Sequence, residues 1–258
     1  MIQFKKLAVA GAVSALMMGA TAAEADVSYN LNPSLANANT AAGPWTSGAA
    51  PVGYTGNLPT TWLANIQNNV NPNEADTVSK ADAVSKGAAS TFAVESLANR
   101  WNPANSWGNA LDFGLITLHS TGNLLITVAA DASQASNFKP GFTLFSGWDT
   151  SPTSSKHGSW NVALPAVPVN PRGTTGLTYV GQASSSVGGG TASYLFTNLA
   201  AGNYSLWIGG AGVGTSTTGG QTYVANLTAS PVPVPGAVWL FGSALAGFAG
   251  LRRRQSAA

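Results

Sequence analysis

Cysteine is absent from the 258 residues, so the fold has no disulfide to lean on and the chain has no thiolate nucleophile or metal ligand. Charge is nearly as scarce. Charged residues make up 8% of the chain, and solubility rests instead on Gly, Ser, Thr, Asn and Ala, as in extracellular matrix or surface proteins. Histidine occurs only at His119 and His157, Gly-x-Ser-x-Gly is missing, and so is His-Glu-x-x-His. Hydrolytic catalysis is therefore not expected, and the acids are too scattered to suggest a glycosidase pair. Glu74 and Asp76, although close in sequence, read as solvated surface charge.

The two ends carry what the middle lacks. Lys5 and Lys6 precede an apolar stretch over 7–20, and Ala23-Glu24-Ala25 supplies the small-x-small pattern of a signal-peptidase site. Residues 1–25 are therefore expected to be a signal peptide. At the other end, an apolar run over 236–251 follows Val232-Pro233-Val234-Pro235 and stops at Arg252, Arg253 and Arg254. As a helix rising about 1.5 Å per residue it spans roughly 24 Å, slightly less than the roughly 30 Å hydrocarbon core of a bilayer. Its only polar side chain is Ser243, so it has no polar face and reads as a membrane helix. Basic residues at both ends stay on the cytoplasmic side, which sends everything between them across the membrane.

This order of elements from Val232 onward resembles the PEP-CTERM sorting signal of Gram-negative bacteria. The name-giving motif has Glu between two prolines, whereas here Val234 lies between Pro233 and Pro235. The resemblance implies recognition and removal of 230–258 by an exosortase, transient anchoring in the inner membrane, and a final location at the cell surface or in the extracellular matrix. By analogy with that family it also implies an association with exopolysaccharide and biofilm.

Removing both ends reverses the charge argument. The full chain is formally +2, but five of its eleven basic residues belong to the two signals. Six basic residues remain against eight acidic ones once Glu24 is lost, so the body is acidic by about two charges and is not expected to bind nucleic acid.

Within the body, short β-branched or aromatic runs separated by Gly, Asn, Ser and Pro predict strands over 111–119, 123–130, 141–147, 177–182, 192–197, 203–209 and 221–229. Several alternate apolar and polar residues, as a sheet with one solvated face requires. The fold class expected is mainly β, a jelly-roll-like sandwich over 110–229. The segment Phe196-Thr-Asn-Leu-Ala-Ala-Gly-Asn-Tyr-Ser-Leu-Trp-Ile208 is similar to the penultimate hairpin of bacterial pre-peptidase C-terminal jelly rolls. Residues 26–109 are read as completing the same sandwich, with strands at 27–31, 77–80 and 91–95 preferred over helix in the Ala/Ser-rich stretch.

Three binding chemistries have candidate residues. Imidazoles of His119 and His157 suit copper, and Asp112, Asp131 and Asp149 suit Ca²⁺, although no metal is required by any motif. Trp148 and Trp160 flank a Ser/Thr/Gly-rich loop and are candidates for stacking on sugar rings, as is Tyr179. Trp207, on an apolar strand, reads as core. The expectation is a non-enzymatic exported protein with an adhesive, structural or polysaccharide-associated role, the alternative being a surface metal-binding protein.

Overall fold

The computed structural model describes residues 27–31, 44–48, 51, 53–56, 60–88, 106–107, 112–132, 138–150, 160–161, 175–210 and 221–233. The expected membrane span, the arginine cluster and the signal peptide lie outside them. Among the described residues, no helix is long and apolar enough to cross a membrane.

The strands are β1 (Val27–Tyr29), β2 (Thr60–Ile66), β3 (Ala75–Ser79), β4 (Ser106–Trp107), β5 (Asp112–Leu118), β6 (Gly122–Ala130), β7 (Pro140–Ser146), β8 (Trp160–Asn161), β9 (Thr178–Ser184), β10 (Thr191–Leu199), β11 (Gly202–Gly210) and β12 (Tyr223–Ser230). They form a six-stranded sheet ordered β1-β2-β5-β11-β7-β9, a four-stranded sheet ordered β10-β6-β12-β3, and a two-stranded ribbon of β4 and β8. The architecture is mainly β and sandwich-like, as the strand spacing led us to expect. Successive strands from β5 to β7, and again from β9 to β12, switch from one large sheet to the other. Between β2 and β5 the pairing is parallel; the other pairs are antiparallel.

The alternation in the sequence decides which faces meet. In β6 and β12, Leu124, Ile126 and Val128 lie beside Ala225, Leu227 and Ala229 and are buried, while Asn123, Leu125, Thr127, Asn226 and Thr228 face outward. The central strands of the six-stranded sheet are buried on both faces, so Trp207 and its ring neighbours Phe113 and Phe145 pack on the side away from Leu206 and Ile208. Trp207 is core, as expected.

Two expectations need correction. Phe196–Ile208 is not a hairpin: β10 pairs with β6 in one sheet, and β11 pairs with β5 and β7 in the other. Asn198 and Gly202, both at positive φ, turn the chain so that it arches between sheets. Tyr204 then secures that arch by donating its hydroxyl to the Ala200 carbonyl at 2.6 Å, a tyrosine-corner contact. The stretch 75–85 is also divided, into strand β3 and helix α1 (Lys80–Ser85). Ser79 explains the switch, because its hydroxyl accepts from the Asp82 amide at 3.1 Å as an N-cap, and Gly87 at positive φ closes the other end. Asp82 accepts from the Tyr29 hydroxyl at 2.6 Å, and Lys86 donates to the Val27 carbonyl at 3.0 Å, which fastens α1 to β1. The preferred strand at 91–95 lies outside the described residues.

Register also orients the molecule. Leu118, Gly122 and Ser230 sit at one end of the sandwich, and Asp112, Ala130 and Tyr223 at the other. Val27 pairs with Ala64, near the end from which the chain departs after Ser230, so the first and last described strands begin and finish toward the same pole.

Candidate functional site

The exit pole holds the one residue of the expected sorting signal that is described, Pro233. β12 is an interior strand, hydrogen-bonded to β6 through Ser230 and to β3 through Thr228. Immediately afterwards Pro231, Val232 and Pro233 are all exposed, with the Pro231 carbonyl accepting from Asn123 Nδ2 at 3.2 Å. Proline cannot donate to a ladder and ends the strand there. The stretch expected to carry the sorting signal thus starts where the sandwich stops. Val234, Pro235, Arg252, Arg253 and Arg254 lie outside the described residues, as do Ala23 and Ala25 at the expected signal-peptidase site.

His119 stands at the same pole, exposed, just after β5. Its Nε2 lies 2.7 Å from Asn65 Oδ1, and its amide donates to the Ile66 carbonyl at 3.1 Å. His157, its expected partner for copper, lies outside the described residues. The three aspartates do not form one Ca²⁺ site. Asp112 begins β5 at one pole, whereas Asp149 follows β7 at the other, and Asp112 already receives three protein donors. Among the described residues, no three His, Cys, Asp or Glu side chains are grouped to hold a metal ion.

Trp148 corrects the stacking expectation. It is only 7% exposed, its indole N–H donates to the Tyr204 carbonyl at 3.0 Å, and Tyr54 meets its ring edge-on with centroids 6.0 Å apart. A ring held this way presents no open face to a sugar. Trp160 is described only as backbone, paired with Trp107 between β8 and β4. Tyr179 is half-buried beside Phe145. Glu74 and Asp76 are not surface charges but are buried, Asp76 on the inner face of β3 next to Val78.

A polar cluster that the spacing of residues did not reveal spans the sheets at the far pole. Trp62 Nε1 donates to the Tyr223 hydroxyl at 2.7 Å, and that hydroxyl donates onward to Asp112 Oδ2. The other oxygen, Oδ1, accepts from the Thr61 hydroxyl and from the Phe113 amide at 3.0 Å. Thr61 reaches it because the register between β2 and β5 shifts between Thr60 and Trp62, a bulge that turns one residue out of the alternation. Complete burial pushes the Asp112 carboxyl up to about 7, against the three donors that favour its charged form. Burial and the adjacent carboxylate likewise hold the Tyr223 phenol above its usual range. Trp62 and Asp112 come from one sheet and Tyr223 from the other, so the cluster clasps the sandwich and holds a proton near neutral pH. Only the short Thr60-Thr61-Trp62 sequence ahead of alternating Ala64 and Ile66 signals it, and then only if β2 is read as a strand.

The outward side of the four-stranded sheet is a regular surface. Register places Ser193, Thr127, Asn226 and Thr77 in one row across all four strands. Thr127 and Ser193 hydroxyls lie 3.1 Å apart, and Thr77 donates to Asn226 Oδ1 at 2.9 Å. A neighbouring row holds Leu195, Leu125, Thr228 and Ala75, and a third Thr191, Ala129, Val224 and Ser79. None of these twelve positions carries a charge.

No known protein family matches the chain, and no curated protein sequence matches it. Solved structures share a low similarity. CorA, a surface-associated copper-binding protein of Methylomicrobium album BG8, is 13% identical at a TM-score of 0.37, with 66% of this chain and 98% of that one covered. The secreted protein MopE of Methylococcus capsulatus, in which an oxidised tryptophan facilitates copper binding, is 12% identical at 0.32, covering 62% and 85%. The pre-peptidase C-terminal domain of a Bacillus anthracis collagenase is 11% identical at 0.28, covering 64% and 91%.

Proposed function

We propose that this chain is an exported, non-enzymatic surface or matrix protein, delivered by an exosortase-type system and acting through a neutral sandwich face. The observation that carries the delivery reading is the abrupt change at Ser230. An interior strand ends there, three exposed residues follow, and the apolar run and arginines come next in sequence. Severing the chain after Pro231 removes the address and leaves the ten strands of both large sheets whole. The signal peptide would be lost just ahead of β1, so signal peptidase and exosortase are the partners expected during export, with the membrane as a temporary third.

An adhesive or polysaccharide-associated role draws on the uncharged rows of Thr, Ser and Asn. Hydroxyl and amide groups held in register can exchange hydrogen bonds with a neutral glycan without the desolvation that charges would impose. That face replaces Trp148 as the glycan-contact candidate. The sorting reading is tested by replacing Val232–Pro235 or deleting Arg252–Arg254. Loss of surface delivery with retention in the inner membrane is the expected outcome, and unchanged delivery of both variants would defeat it. Metal analysis of the natively purified protein decides the copper alternative, which needs a stoichiometric metal that disappears in His119→Ala or His157→Ala.

A further inference from the structure

Every open sheet has edges that invite another strand, and soluble proteins usually blunt them. Four edges flank the two large sheets here, and three are blunted. β1 is only three residues long. β9 contains Gly181, and its register with β7 shifts at Leu144/Phe145. β3 has five residues, carries the inward carboxylate of Asp76 and runs directly into α1.

β10 is the least blunted of the four, its one irregularity against β6 falling late in the strand, between Phe196 and Leu199. Its nine residues, Thr191 to Leu199, include no charge, proline or glycine, and Thr191–Phe196 runs in unbroken register with β6. Among the described residues, no hydrogen bond reaches the backbone edge that points away from β6. Two large hydrophobic side chains are exposed on this strand, Tyr194 at 46% and Leu195 at 50%, and Leu125 beside Leu195 is 37% exposed. Scattered exposed apolar residues are ordinary, but Leu195 and Leu125 lie side by side on the outward face at this edge, with Tyr194 exposed on the other face of the same strand, and together they are the makings of an interface.

We propose that β10 pairs antiparallel with β10 of a second copy of this chain, joining two four-stranded sheets into one of eight. The strand is suited to itself. A two-fold axis through Leu195 sets Leu195 opposite Leu195, Tyr194 opposite Phe196, and Ser193 opposite Thr197. That arrangement joins apolar, aromatic and hydroxyl cross-strand pairs and opposes no like charges. It also makes the uncharged outer face continuous across both copies, so the surface offered to a neutral polymer doubles in length. The pairing itself does not depend on that use.

The absence of native cysteine allows a direct test. Single Leu195→Cys and Thr77→Cys variants of the exported protein are oxidised in parallel, Thr77 lying on the opposite edge strand. The Leu195→Cys protein is expected to convert largely to a disulfide-linked dimer, and the Thr77→Cys protein to remain mainly monomeric. Equal cross-linking of the two, or no dimer from either, overturns the proposal. Sedimentation across a concentration series supplies a second reading. The wild type is expected to approach twice the monomer mass, whereas Leu195→Lys, a change at an exposed position, stays monomeric with an unchanged circular dichroism spectrum. A wild type that is monomeric throughout, or a Leu195→Lys variant that dimerises as well, refutes the pairing.

Discussion

Replacing Asp112 with Asn should remove a specific slope from the pH dependence of stability. In the folded protein the Asp112 carboxyl keeps its proton up to about pH 7, whereas its ordinary value is 3.8. Between those values the native state binds more protons than the unfolded chain. Stability therefore falls as pH rises through that window, is greatest below about pH 4, and levels off above about pH 7. The gap between the two values corresponds to about 4 kcal/mol. The asparagine side chain has nearly the same shape, never ionises, and resembles the protonated acid, in which the Thr61 or Tyr223 hydroxyl turns to accept one hydrogen bond. Urea unfolding of both proteins from pH 4 to pH 8 isolates this group, because every other titrating residue is common to the two. The difference in unfolding free energy should move in favour of Asp112→Asn by about 4 kcal/mol across the range, with equal m-values. Parallel profiles would refute the placement of a proton on Asp112 and, with it, the clasp as described.

Other consequences can be measured on the same footing. Tyr204→Phe removes only the hydroxyl bonded to Ala200, and should lower stability by about 1 kcal/mol, a fall of roughly 2–4 °C in Tm for a body of this size; an unchanged melting curve would contradict the corner. Gly114→Ala places a methyl group where the Trp62 ring already lies, so it should destabilise by about 1–3 kcal/mol or more in urea titration, despite adding so little. Trp148→Ala should weaken the fold by about 3–5 kcal/mol, because the ring is buried rather than displayed. Thr127→Ala combined with Asn226→Ala should leave stability within about 0.5 kcal/mol yet reduce retention on neutral polysaccharide in a pull-down, and full retention would remove the outer face from the glycan reading.

Much of the strand pattern was legible because alternation is a local signal. β6 and β11 fall within a residue of the runs read from Leu124-Leu-Ile-Thr-Val128 and Tyr204-Ser-Leu-Trp-Ile208. Pairing was not legible, since Phe196–Ile208 looks the same in sequence whether its strands share a sheet or arch between two. β2 escaped notice because its register is broken at Thr61 by the bulge that serves Asp112. The residues of the clasp, Thr61, Trp62, Asp112 and Tyr223, come from three strands spread over more than 160 positions, and no spacing rule joins them. Trp148 failed for a related reason: loop composition predicts exposure of a segment, but the Tyr204 carbonyl and the Tyr54 ring decide the fate of one side chain. Glu74 and Asp76 show the converse error, in which charge was equated with solvent although register turns Asp76 inward.

The delivery account meets its most direct test in the intact mass of the exported protein, which locates both cuts at once. A chain beginning at Asp26 and ending near Val232–Pro235, without the apolar run and the arginines at 252–254, is the outcome expected. A mass that still includes residues 236–254 on surface-delivered protein would contradict it, and would make the C-terminal segment a permanent anchor.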